Sequence, residues 1–164
     1  MRAIANSGPL IHLSWIGRLD TLRVLFTAVV VPAAVREEVL RADPSVPGAE
    51  AIRAALAAGW LGSAAVAGQA PLPTLLSRLD RGEAEAIALR EEIGDGLLLL
   101  DERRARAEAA RRSLPFTGTI GLLQQAQARG ILRSVPPILE ELRRLGFWIS
   151  PDLIEQVRRA ELGQ

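Results

Sequence analysis

The chain of 164 residues has no cysteine, which excludes disulfides, thiolate nucleophiles and zinc–thiolate clusters. Lysine is missing as well, because all 20 basic residues are arginine. A Schiff-base lysine and a Walker-type phosphate loop are therefore out of reach. Tyrosine is absent, and His12 is the single histidine. No apolar run approaches the ~20 residues that span a bilayer, and no charged-then-apolar leader opens the chain. The sequence therefore reads as soluble and cytoplasmic, with no membrane partner. A net charge of +1 argues against coating nucleic acid by charge alone. What remains is carboxylates, hydroxyls, amides, arginine and any metal that carboxylates can hold.

Apolar residues make up 49% of the chain and aromatics only 4%, a balance that suits helices packed on a sheet. The length is that of one domain, 1–164. Arg2–Ala5 is a short apolar segment stopped by Asn6-Ser7-Gly8-Pro9, and Pro9 opens a helical stretch to Ile16. Ala28–Val31 reads as a buried strand, and a helix follows from Ala33 with Val35, Val39 and Leu40 on one side. Trp60–Val66 suits an edge strand, Gly68–Pro73 a mobile loop, and Thr74–Leu79 a short helix. Gly82 leads a strong helix that ends near Gly94. Leu97–Leu100 is an apolar run of the kind buried on both faces of a parallel sheet, and an arginine-rich helix follows. Pro115–Thr117 is a last short strand, and Phe147–Ile149 suits extended chain. Ser150-Pro151 caps a terminal helix, about 151–162, that suits an accessory or interaction role. This alternation of strands and helices predicts an α/β domain with a mostly parallel central sheet.

Open parallel sheets bind ligands just beyond the carboxyl ends of their strands. Asn6 and Asp101 both follow strands, Glu83 and Glu85 lie in the first turn of one helix, and Glu37 and Glu38 lie on another. Crowded carboxylates need a cation, and hard oxygen donors select Mg²⁺ or Mn²⁺. Each residue also has a structural reading. Acids in a first turn suit the helix dipole, Glu37 or Glu38 can pair with Arg41, Asn6 can cap a turn, and Asp101 can cap the helix behind it. Thr117 and Thr119 can position phosphate or water, or serve as turn residues. His12 suits a packed or hydrogen-bonded state. Arg103, Arg104 and Arg106 can meet a phosphate backbone or form a solvated face.

Several segments, in order along nearly the whole chain, resemble PIN-domain proteins of the VapC-like branch. They are Asn6-Ser7-Gly8-Pro9-Leu10-Ile11, Gly17-Arg18-Leu19-Asp20, Val31 to Val39, Gly82 to Leu89, Leu98 to Arg106, Thr117 to Leu123 and Gly146 to Ser150. The resemblance implies a Rossmann-like, three-layer fold with an acidic Mg²⁺ or Mn²⁺ pocket that cleaves RNA. It places Asn6, Glu38, Glu83 and Asp101 in the catalytic positions, with Glu85 as the alternative to Glu83. It also implies an RNA substrate, a small antitoxin partner and a homodimer. Asn6 departs from the Asp usual at its place and removes a charge, so a binding-only PIN module is the alternative function.

Overall fold

Five strands form one wholly parallel sheet: β1 (Arg2–Ala5), β2 (Ala28–Pro32), β3 (Leu61–Ala64), β4 (Leu97–Leu99) and β5 (Phe116–Thr117), in the order β3-β2-β1-β4-β5. The structure is a computed structural model and describes residues 1–68 and 71–163. β1 is central, with Ala3 opposite Val29 on one side and Ala5 opposite Leu99 on the other. The period-2 alternation of the strands feeds two separate cores. Ala3, Ala5, Val29, Val31, Leu97 and Leu99 face one, and Ile4, Leu98 and Leu100 face the other. Burial on both faces explains why the strands read as continuous apolar runs rather than alternating ones.

Ten helices, among the described residues, cover the two faces: α1 (Ser7–Trp15), α2 (Thr21–Leu25), α3 (Ala33–Arg41), α4 (Ala49–Ala57), α5 (Leu72–Leu76), α6 (Arg81–Ile93), α7 (Arg103–Arg111), α8 (Thr119–Ala128), α9 (Pro136–Arg144) and α10 (Pro151–Glu161). Leu13 of α1, Leu22 of α2, Leu122 of α8, Leu139 of α9 and Ile154 of α10 fill the first core. Leu75 of α5, Ile87 of α6 and Ala105 of α7 fill the second. The expected α/β architecture is the one observed.

Several boundaries differ from the sequence expectation for local reasons. α1 starts at Ser7, because a proline in a first turn lacks only an N–H that has no intrahelical partner there. α5 starts two residues before its expected place, at Leu72. Leu40 is 47% exposed and leaves the α3 core face to Val35 and Val39. Phe147–Ile149 forms no strand: Phe147 N–H closes α9 on Leu142 O at 3.0 Å instead. The expected mobile loop at 68–73 includes residues 69 and 70, which lie outside the described residues. α10 seats Ile154 and Val157 in the chain's own core, and Glu161 near its end accepts Val135 N–H at 2.6 Å.

Candidate active site at the switch point

The chain winds outward in one direction through β2 and β3 and in the other through β4 and β5, so the strand order reverses beside β1. In open parallel sheets such a reversal is where ligands bind, beyond the carboxyl ends of the strands. Asn6 follows β1 directly, and Asp101 lies two residues past β4.

Asn6 is buried, makes no capping hydrogen bond to α1, and leaves its Oδ1 buried without a partner among the described residues. The turn-capping role open to it in the sequence is not used. A buried acceptor without a donor costs ~1–3 kcal/mol, so it calls for an explanation. Gly82 in the first turn of α6 makes the close approach possible, since a Cβ there would stand 2.8 Å from Asn6 Oδ1 and 3.1 Å from Val35 Cγ2.

Asp101 is held from two sides. Thr119 donates its backbone N–H to Oδ1 and its hydroxyl to Oδ2, each at 2.7 Å, and His12 Nδ1 donates to Oδ2 at 2.7 Å. Asp101 therefore caps the start of α8 across the sheet edge rather than α7, whose N-cap is Glu102. Gly118 gives the carboxylate its room: a Cβ there would lie 2.8 Å from Oδ1. His12 is enclosed by Trp15 and Phe147, with ring centroids 5.1 and 4.1 Å away. Of the carboxylate's roughly four lone-pair directions, three are taken and one on Oδ1 is left.

The helix acids divide. Glu85 is engaged at both oxygens, accepting Ala34 N–H at 2.9 Å and Arg81 Nε–H at 2.8 Å, so it ties α6 to α3. Glu83 forms a capping box with Asp80, whose side chain accepts Glu83 N–H at 2.8 Å. It also lines an open hollow of about 300 Å³ with Asp80, Glu102, Arg78 and Arg104. Burial holds its pKa above the ordinary glutamate value, Asp80 and Glu102 add to this, and the Asp80 N–H and Arg104 oppose it. Glu37 pairs with Arg81 and Arg41. Glu38 is exposed on α3 and has no carboxylate–arginine pair among the described residues; partial desolvation raises its pKa, a hydrogen bond from Ser7 opposes the rise and Asp80 adds to it.

Thr119 is fully buried and committed to Asp101. Thr117 packs its hydroxyl against Gly121 of α8, where any Cβ would strike it. Arg103, Arg104 and Arg106 are exposed on α7, and Arg106 lies over the Phe116 ring at 5.4 Å. Two features escape the sequence. His12 shows no periodic signal that links it to Asp101, and Asp80 is visible only as the residue three before Glu83.

All these donors are oxygens apart from His12, which suits a hard divalent cation in kind. The orphaned Asn6 Oδ1 and the buried Glu83, whose pKa desolvation and Asp80 raise, are what such an ion would relieve. Among the described residues no three His, Asp or Glu side chains stand in the spacing of a formed metal site. The fit lies in the chemistry of the donors, and closure on an ion requires side-chain rotation.

No protein with curated annotation matches the sequence. Among solved structures the fold is similar to that of a PilT N-terminus domain protein, SSO1118, from the hyperthermophilic archaeon Sulfolobus solfataricus P2. The TM-score is 0.57 at 17% identity, over 77% of this chain and 93% of that one. No helix among the described residues is long and apolar enough to cross a membrane. A family model described as DUF3368, a PIN domain, matches residues 2–162, and the chain belongs to that PIN-domain family.

Proposed function

We propose that the protein is a metal-dependent endoribonuclease of PIN type and the toxin half of a toxin–antitoxin pair. RNA is its substrate, a small antitoxin protein its inhibitor and a homodimer its working form. PIN folds are nuclease-type folds. The observation that carries the reading is the buried, unpartnered Asn6 Oδ1 at the switch point, close to Gly82 of α6 and so to the helical turn that carries the buried Glu83. Asn6, Glu38, Glu83 and the remaining lone pair of Asp101 would hold Mg²⁺ or Mn²⁺. When bound, such an ion supplies an activated water and charge stabilisation at a phosphodiester. Thr119 and His12 fix the orientation of Asp101 by donating to both of its oxygens. Arg104 sits over the acidic hollow and offsets its charge, while Arg103 and Arg106 meet the RNA backbone.

The test is cleavage of single-stranded RNA with Mg²⁺ or Mn²⁺ by the wild type and by Asp101→Asn, purified identically. The wild type is expected to cleave and the variant to lose the activity. Equal residual cleavage by both marks a contaminant and ends the enzyme reading.

A second reading rests on a specific observation: Asp101 already accepts from three donors, and among the described residues no three acids converge. A PIN module that binds nucleic acid without cutting it matches that arrangement, and RNA binding without metal-stimulated cleavage would select it.

A further inference from the structure

We propose that Trp148 and Arg143 form a docking platform for one unstacked base and its phosphate in single-stranded RNA. The proposal rests on the ribonuclease reading and deepens it by placing part of the substrate. Trp148 is 85% exposed, more than any other large apolar side chain among the described residues. The other two tryptophans are occupied: Trp15 donates to Pro47 O at 3.0 Å, and Trp60 lies under the Arg23 guanidinium at 5.5 Å. An indole left in water gives up one of the largest burial gains a side chain can offer.

Its surroundings indicate what covers it. Gly146, in the left-handed region at φ +107°, turns the chain out of α9. The segment that follows bounds a hollow of about 320 Å³ with Arg143, Phe147, Trp148 and Ser150 on its walls. Phe147 faces two ways, since its ring also packs 4.1 Å from His12, which bonds to Asp101. Phe147 thus joins the wall of the hollow to His12 and, through it, to Asp101.

The charge around it is mixed, with Glu140, Asp152 and Glu155 among the arginines. Arg158 pairs with Glu140 and Glu155, and Arg159 with Glu155. Arg143 and Arg144, both exposed, have no carboxylate partner among the described residues. An open aromatic face beside an unpaired guanidinium suits a base and its phosphate. A base inside a duplex has no free face to offer, so the platform selects single strands.

The experiment is fluorescence anisotropy of the full chain with a labelled single-stranded RNA of about 12 nucleotides and its duplex, in EDTA. Trp148→Ala is expected to weaken single-strand binding roughly tenfold and Trp148→Phe by far less, with duplex binding unmoved. Arg143→Gln is expected to weaken single-strand binding and to flatten its salt dependence by about one phosphate's worth. Unchanged single-strand affinity in Trp148→Ala overturns the platform, as does equal loss for single strand and duplex. A Trp148→Ala variant whose only change is in sedimentation assigns the patch to a protein partner and overturns it too. A wild type that binds single strands through Trp148 yet shows no metal-stimulated cleavage keeps the platform and removes only the nuclease reading.

Discussion

His12 Nδ1 donates to Asp101 Oδ2 at 2.7 Å across 89 positions of sequence. The contact fixes the tautomer of the imidazole, with the proton on Nδ1 whenever the ring is neutral, and it orients a carboxylate that Thr119 grips from the other side. Partners of this kind are typically worth ~10–100-fold in activity or metal affinity. His12→Phe keeps a ring against Phe147 and Trp15 but loses the donor. RNA cleavage is expected to fall by about tenfold or more with the thermal midpoint little changed. His12→Asn, whose amide can replace Nδ1–H, is expected to recover most of the loss. Equal rates in all three proteins would remove His12 from the site.

Asn6→Asp tests the orphaned acceptor directly. A carboxylate at this buried position would approach Asp80 across Gly82, and like charges in a desolvated corner repel. Without divalent ions the variant is expected to lose about 1–2 kcal/mol of stability. Saturating Mn²⁺ is expected to restore the melting temperature, and to raise it more than in the wild type. Melting curves with and without Mn²⁺ decide the matter, and a variant indifferent to Mn²⁺ would return position 6 to a purely structural role.

Much of this arrangement is legible in the sequence because it is local. Leu97–Leu100 announces a strand buried on both faces, and Gly82, Ser150 and Pro136 mark helix starts through their own backbone chemistry. Asp101 and Asn6 are found because strand ends are visible and parallel sheets place sites there. The roles within the site are not local. Glu83 and Glu85 share one helical turn and equal acidity, and only the packing of α6 against α3 shows that Glu85 is engaged by Ala34 and Arg81. The choice between Glu37 and Glu38 likewise depends on Arg81, which lies 44 positions from Glu37. His12 carries no signal at all, since its partner is brought by the sheet.

Gly82→Ala probes the packing that brings α6 to Asn6. The added methyl would stand 2.8 Å from Asn6 Oδ1 and 3.1 Å from Val35 Cγ2. Both neighbours are buried, so the strain has little room to relax, and a loss of about 1–3 kcal/mol is expected. Alanine is the better helix former by ~1 kcal/mol, so an increase in denaturation midpoint would show that the α6–Asn6 contact is looser than the geometry requires.

Glu108 supplies the acid-side test. Arg111 and Arg112 donate to its carboxylate, Arg112 Nε at 2.7 Å, and Arg112 also reaches Glu91 at 2.8 Å, so the group ties α7 to α6 behind the site. The hydrogen bond from Arg111 is the largest effect on Glu108; burial opposes it, Arg112 reinforces it, and together they hold the pKa at about 2. A carboxylate depressed in the folded state binds its proton first in the unfolded chain. Its contribution is therefore complete above the ordinary glutamate pKa and is lost as pH falls from near 4.5 towards 2. Glu108→Gln is expected to lower stability by about 2 kcal/mol at pH 7, with the deficit shrinking through that window. Urea titrations at several pH values measure it. A deficit that stays constant down to pH 2.5 would mean that packing, and not the charge on Glu108, joins α7 to α6.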